Sequence, residues 1–206
     1  MWKKKFLNNK EQLMDNVAFY KEQFDQSQST DSGNGLSAIR QKAFDDFNRM
    51  GIPTVKNEEW KYTRISGAFN EISKFSFNEA TALTTADIDA IRLPGNANEL
   101  VFINGVYSDK FSTVRSKGLT VQPLEDAAKN EYKEIVDKHF NHSSNYLKDG
   151  INALNTAFLR DGIFMHVPKN KIVEHPVYIY NITDARSFAV LSQPRSLIYI
   201  SENAQS

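Results

Sequence analysis

The sequence reads Ile-Phe-Met-His-Val at 163–167, Val-Tyr-Ile-Tyr-Asn-Ile at 177–182, Phe-Ala-Val-Leu-Ser-Gln at 188–193 and Ser-Leu-Ile-Tyr-Ile-Ser at 196–201. Each run is rich in β-branched and aromatic residues, which favour strands, and turn-forming residues separate the runs. Strands that follow one another without helices predict a sheet that is stacked or wound, as in sandwiches, barrels and β-helices. The spacing of the runs is too irregular to indicate a solenoid by itself.

The chain before these strands has a helical period. One apolar face predicts a helix over residues 1–25, and a second face predicts a helix that begins near residue 36 and ends at Gly51. The polar segment 26–35 between them predicts a flexible linker, so we expect the first helix to dock weakly. The two faces consist of Phe6, Leu13, Val17, Tyr20 and Phe24, and of Leu36, Ile39, Ala43, Phe47 and Met50.

The middle of the chain predicts short helices and strands. Thr84 begins a helix that carries Ile88, and residues 100–103 form a strand that enters a hairpin turn at Asn104-Gly105. Residues 119–121 are a further strand candidate. Two helices follow, one starting at Pro123 and one ending before Asp161-Gly162. Their apolar faces consist of Leu124, Ala128, Tyr132 and Ile135, and of Leu147, Ile151, Leu154 and Phe158.

Composition excludes several classes of function. Lys plus Arg and Asp plus Glu each number 25 of the 206 residues, so the net charge is zero and a nucleic-acid partner is not indicated. No cysteine is present, which excludes disulfides, a cysteine nucleophile and thiolate ligands to a metal cluster. No stretch is apolar enough to span a bilayer, and charges interrupt the signal-like start Met1–Lys5. These features predict a cytoplasmic protein without a membrane segment.

The candidate catalytic and metal-binding residues are few. His139 and His142 are spaced for one helical face but have no third ligand, so a packed histidine and a surface one are the favoured interpretation. Glu174 and His175, with Ser187 or Ser192, contain the residue types of an acid–base set without any nucleophile motif. The strand region has four acids, none spaced as a recurring pair: Asp161, Glu174, Asp184 and Glu202. No phosphate-binding loop motif occurs, so we assign no catalytic, cofactor-binding or metal-binding residue.

Residues 51–63 read Gly-Ile-Pro-Thr-Val-Lys-Asn-Glu-Glu-Trp-Lys-Tyr-Thr. Gly51 can stop a helix, and Asn57 can cap a short turn that starts with two glutamates. Trp60 and Tyr62 then add two large rings, which either pin the turn against the core or form an exposed anchor for a partner. The run closely resembles a signature of the SufB/SufD family of iron–sulfur cluster assembly proteins, and within the family its SufD branch.

The resemblance extends over roughly residues 40–206. The strand and turn at 100–105 are similar to a second family segment, and Asp161-Gly162, 167–169 and 176–177 resemble the entry into the family's core domain. Residues 195–205 look like one of the first rungs of that core. The resemblance therefore implies an α+β chain with two regions. Residues 1–160 correspond to a mainly helical amino-terminal region, and 161–206 to the opening rungs of a right-handed parallel β-helix.

The same resemblance implies a function. It implies a non-catalytic scaffold subunit of the SUF system that acts with a SufB-like scaffold and the ATPase SufC, which hydrolyses ATP. The family's contact and functional positions lie beyond Ser206, so none is carried over, and we interpret the chain as truncated. An open β-helix end exposes strand edges and favours association, for example as a homodimer. The alternative is a β-helix protein that binds or cleaves carbohydrate, which requires paired carboxylates.

Overall fold

A computed structural model describes residues 18–27, 36–69, 81–145, 148–159, 162–186 and 190–206. Within these residues, a group of helices precedes three short strands, and a second group of helices precedes three more. The strands are β1 (Asn98–Ile103), β2 (Val106–Tyr107), β3 (Thr120–Pro123), β4 (Ile163–Val167), β5 (Val177–Ile182) and β6 (Ser196–Ile200). The helices are α1 (18–27), α2 (Ser37–Met50), α3 (Ser66–Phe69), α4 (Thr85–Asp89), α5 (Leu124–Ala127), α6 (Lys133–His139) and α7 (Gly150–Ala157). Turns of 3₁₀-helix occupy Glu58–Trp60, Asp109–Phe111 and His142–Asn145.

The first helices pack as an aromatic cluster. Tyr20 and Phe24 of α1 are each 1% exposed. The Phe24 ring stacks on Phe44 of α2 at 4.1 Å between centroids, and Phe158 meets it edge-on. The described part of α1 contradicts the expectation of weak docking, because Tyr20 and Phe24 of its apolar face are buried against α2 and α7. The helix also includes residues 26 and 27 of the predicted linker, whereas 1–17 and 28–35 lie outside the described residues.

The strands form two three-stranded sheets. The order in one is β2-β1-β5 and in the other β3-β4-β6. β1 pairs with β2, and β3 with β4, in antiparallel orientation. β5 pairs with β1, and β6 with β4, in parallel orientation. The predicted hairpin turn is confirmed, since Asn104 and Gly105 both have positive φ, 54° and 87°. Each sheet combines strands that precede residue 160 with one or two that follow it. The division of the chain into two regions at residue 160 stays a prediction.

The inner faces of the two sheets share one apolar core. Leu100 and Phe102 of β1 face Ile163, Met165 and Val167 of β4, with every second residue of each strand directed inward. On the opposite face of the first sheet, Val101 and Ile103 pack with Ile88 of α4 and Phe111. The helix start predicted at Thr84 is confirmed, and the structure shows a capping box there with Thr84 and Asp87 as its members.

Helices α5 and α6 cover the outer face of the second sheet. Leu124, Val136 and Phe164 are fully buried in this layer. The sequence predicts one helix through this region, but the structure has two, separated by a turn in which the Lys133 amide bonds to the Asn130 carbonyl at 3.1 Å. Asparagine is a poor helix former, and the break lets the Tyr132 ring reach Phe164, 4.8 Å away between centroids.

The strand predicted at 188–193 is not formed in its described part. Residues 190–193 contain one isolated bridge at Val190 and no ladder. The chain instead crosses the β1–β2 turn, where a Cβ on Gly105 would lie 2.8 Å from the Gln193 nitrogen. Pro194 follows and has no N–H to donate to a ladder. The other three strand predictions are confirmed, at 163–167, 177–182 and, ending one residue early, 196–200.

Candidate interaction surfaces

The inner core opens to solvent at the end formed by β5 and β6. Both are edge strands of their sheets. Ile179 of β5 and Ile198 of β6 line a cavity of about 320 Å³ there, together with Met165 and Val177. Ile198 pairs with Met165 and so lies on the inward face of its sheet, yet it is 53% exposed. We call this the open end.

Two pairings next to the open end have the same sequence offset. Ile163 of β4 pairs in parallel with Ser196, and Ile172 bridges in parallel to Gln205, so each partner lies 33 residues further along the chain. The second pairing is held by backbone hydrogen bonds from Val173 to Gln205 at 2.8 Å and from Gln205 to Lys171 at 3.0 Å. Two parallel pairings in this part of the chain therefore share one spacing along the sequence.

The turn at 51–63 rests on α7 through two glycines. Gly51 ends α2 with φ of 66°, and its amide donates to the Phe47 carbonyl at 2.7 Å. Its own carbonyl lies against Gly150, so closely that a Cβ on Gly150 would be 1.6 Å from the Gly51 oxygen. Asp149 caps α7 by accepting from the Asn152 amide at 2.9 Å. The contact explains why α7 begins with glycine, whereas the positive φ of Gly51 explains the glycine at the start of the turn.

The structure shows what Asn57, Trp60 and Tyr62 of this turn contact. Asn57 precedes the 3₁₀ turn Glu58–Trp60 but does not cap it; its side-chain oxygen accepts from the Thr54 amide at 2.9 Å. Trp60 is half-buried and lines a groove of about 410 Å³ between this turn and the start of α7. Tyr62 is 90% exposed, so it does not pin the turn to the core.

A model of the SufBD protein N-terminal region matches residues 8–179 of the sequence. This match covers most of the chain. The chain belongs to the SufBD family. It is also 27% identical, over 177 residues, to an iron–sulfur cluster assembly SufBD family protein of Synechocystis sp.. That alignment covers 81% of this chain and 36% of the relative, so the SufBD chain described here spans about a third of that protein's length.

The structure separates the candidate metal ligands. His139 of α6 packs on Tyr199, with 5.5 Å between ring centroids, and His142 is exposed in the following turn. Among the residues that the structure describes, no three His, Cys, Asp or Glu side chains are grouped to hold a metal ion. This agrees with the interpretation of a packed histidine and a surface one.

The candidate acid–base residues do not contact one another through the hydrogen bonds that the described residues make. Glu174 is exposed, whereas the His175 amide donates to Ser116 at 3.2 Å and the Ser192 hydroxyl lies 3.4 Å from that of Thr183. Asp184 accepts from Thr81 and forms an ion pair with Arg186, and Glu202 pairs with Lys169 at 2.6 Å. Ser187 and Asp161 lie outside the described residues. No two of the three described acids pair with each other.

Sequence reasoning missed the polar residue that joins the first sheet to its neighbours. Asn98 is completely buried at the start of β1. Its amide nitrogen donates to the Ser116 hydroxyl at 3.1 Å and to the His175 carbonyl at 2.8 Å. Its oxygen accepts from the backbone amides of Arg115 and Ser116 at 2.8 and 2.9 Å. No local signal distinguishes this asparagine from a loop residue, because all its partners are distant in sequence.

In the described part of the chain, no helix combines the length and apolar character that crossing a bilayer requires.

Proposed function

We propose that this SufBD chain contributes to a non-catalytic scaffold of SufD type in the SUF iron–sulfur assembly machinery. It would act in the cytoplasm with a SufB-like scaffold, and the ATPase SufC would hydrolyse ATP. The match of the SufBD N-terminal model to residues 8–179 carries this proposal. The lack of any cysteine supports it, because the chain has no thiolates with which to ligate a cluster itself. The carbohydrate alternative gains no support, since Asp184 and Glu202 are held by separate partners rather than paired with each other.

We further propose that residues 161–206 begin a parallel β-helix. The shared offset of 33 residues supports this, since winding with a constant number of residues per coil stacks each strand on its predecessor. The apolar open end supports it as well, because a following coil would bury Ile179 and Ile198 and pair the free edges of β5 and β6.

The substitution Ile198→Asp tests this continuation in the longest protein that contains the chain. If a further coil covers β6, the carboxylate is buried without a partner. The free energy of unfolding should then fall by about 3 kcal/mol or more. The measurement is urea unfolding followed by circular dichroism.

Ile91→Asp is the matched control for Ile198→Asp. Ile91 is 50% exposed, close to the 53% of Ile198, but lies after α4 and away from the open end. We expect it to change stability by less than about 1 kcal/mol. Equal, small effects of the two substitutions would show that nothing covers β6.

Affinity capture tests the scaffold role. The protein, tagged in its native host and expressed from its own promoter, should recover a SufB-type protein and a SufC-type ATPase in near-stoichiometric amounts, identified by mass spectrometry. An untagged strain measures the background. Recovery of the folded, intact bait without either partner would contradict the assembly role, whatever the outcome for Ile198.

A further inference from the structure

The outer face of the second sheet carries a cluster of histidine and tyrosine rings beneath α6. His166 of β4 lies 5.6 Å from Tyr199 of β6 and 5.1 Å from Tyr132, measured between ring centroids. His139 of α6 packs on the same Tyr199 ring, and Tyr132 immediately precedes α6. These four rings, together with Phe164, form the contact between α6 and the sheet; we call them the ring cluster.

The hydrogen bonds of His166 leave one ring nitrogen without a partner. Nε2 lies 2.9 Å from the Ser201 hydroxyl, which can donate or accept. Nδ1 is buried and has no hydrogen-bond partner in the part of the chain that the structure describes. A neutral imidazole tolerates this, but an imidazolium must donate from both nitrogens. Protonation would therefore bury an N–H donor that lacks an acceptor, which is costly.

A second buried polar atom lies on the same face of the sheet and offers no acceptor. Gln122 pairs with Phe164 across β3 and β4, so its side chain lies on the same face of the sheet as His166. Its amide nitrogen is also buried without a hydrogen-bond partner among the described residues. That group is a donor, and a donor cannot satisfy a protonated Nδ1.

We propose that the ring cluster is an acid-sensitive joint: protonation of His166 releases α6 from the β3-β4-β6 sheet while the aromatic core of α1, α2 and α7 stays folded. Helix α6 has seven residues, too few to be stable in water without the tertiary contacts that it makes here. The aromatic core of α1, α2 and α7 contains no ring-cluster residue, and α2 meets the layer of α6 only at its first turn, through Leu36 and Ile39.

The surroundings of His166 determine the sign of the effect. Tyr132 and Tyr199 face it from the neighbouring elements, Thr120 pairs opposite it on β3, and Glu131 acts at longer range. Burial lowers the pKa of His166, and the negative charge of Glu131 opposes this only in part. The unfolded chain therefore takes up a proton more readily than the folded chain. Stability attributable to His166 is present above the ordinary pKa of about 6.5 and is lost as the pH falls below it.

Hydrogen exchange followed by NMR tests the joint on the wild-type protein. Opening equilibria are obtained for amides of α6, β6 and α2 between pH 7.5 and 5.0, after correction for intrinsic exchange. The opening equilibrium of α6 should rise as the pH falls, by at most about tenfold for each pH unit for a single proton, while α2 stays unchanged. An equal rise in α2 would show global destabilisation and overturn the proposal.

Two variants and one titration complete the experiment. His166→Gln removes the titratable ring and keeps a polar group near Ser201, so α6 should lose its pH dependence. His142→Gln, at an exposed histidine, should keep it. Persistence of the pH dependence in His166→Gln would overturn the proposal. If that variant does not fold, NMR titration of the wild-type imidazole decides, since a pKa at or above 6.5 contradicts the joint.

Discussion

Gly150→Ala is expected to lower the free energy of unfolding by more than about 3 kcal/mol, at the upper end of overpacking effects. The new methyl carbon would lie 1.6 Å from the carbonyl oxygen of Gly51, and that oxygen belongs to backbone. Relief requires the turn at 51–63 to move away from α7, which also carries Leu154 of the aromatic core. Thermal and urea unfolding of the variant measure the loss, and a wild-type midpoint would show that the two segments are not in contact.

Gly51→Ala is the matched control because it adds the same methyl group on the other side of the same contact. A Cβ on Gly51 meets nothing within 4 Å, so its cost comes only from the backbone φ of 66°. Left-handed backbone at a non-glycine residue costs on the order of 1–3 kcal/mol. We therefore expect Gly150→Ala to be the more damaging of the two, and the reverse order would contradict the steric explanation.

Asn98→Ala should cost about 3–5 kcal/mol. The substitution removes four hydrogen bonds at a completely buried position. It leaves the amides of Arg115 and Ser116 and the carbonyl of His175 without their side-chain partner, and each unsatisfied buried group costs about 1–3 kcal/mol. Loss of cooperative unfolding, or a strongly reduced urea midpoint, is the expected observation.

Asn181→Ala provides the comparison for Asn98→Ala. Asn181 lies in β5 of the same sheet, but its side chain is exposed. Its substitution is expected to change stability by less than about 0.5 kcal/mol, as is usual for surface positions. If both alanine variants were equally mild, water would be able to replace the buried contacts of Asn98, and the network would not hold the sheet to residues 115–116 and 175.

Local patterns were enough to predict most elements. The apolar faces of α1, α2 and α7, the helix start at Thr84 and the turn at Asn104-Gly105 depend on neighbours within a few residues, so a short window of sequence predicts them. The break between α5 and α6 was missed because continuous helical spacing at Leu124, Ala128 and Tyr132 outweighed the weak signal of Asn130. In the described part of the strand predicted at 188–193, residues 190–193 form no ladder, and Gln193 instead packs against Gly105.

The surfaces were less predictable than the elements. The cost of placing a side chain at Gly150, the network around Asn98 and the exposure of Ile198 all depend on residues that are distant in sequence. Trp60 and Tyr62 illustrate this limit, because two aromatic residues separated only by Lys61 differ in burial: Trp60 is half-buried and Tyr62 is exposed. Spacing alone cannot separate such residues, since burial is a property of the assembled layers.

The sequence by itself determined the family, the absence of thiolate ligands and the change from helical to strand period after residue 160, because motif, composition and periodicity are local properties. The tertiary structure alone decided that Tyr20 and Phe24 of α1 are buried and that the parallel partners of β4 and of Ile172 lie 33 residues further along the chain. It alone placed His166 beneath α6 with one nitrogen unsatisfied. Pairing and desolvation between distant segments create these features, and no window of sequence contains both partners.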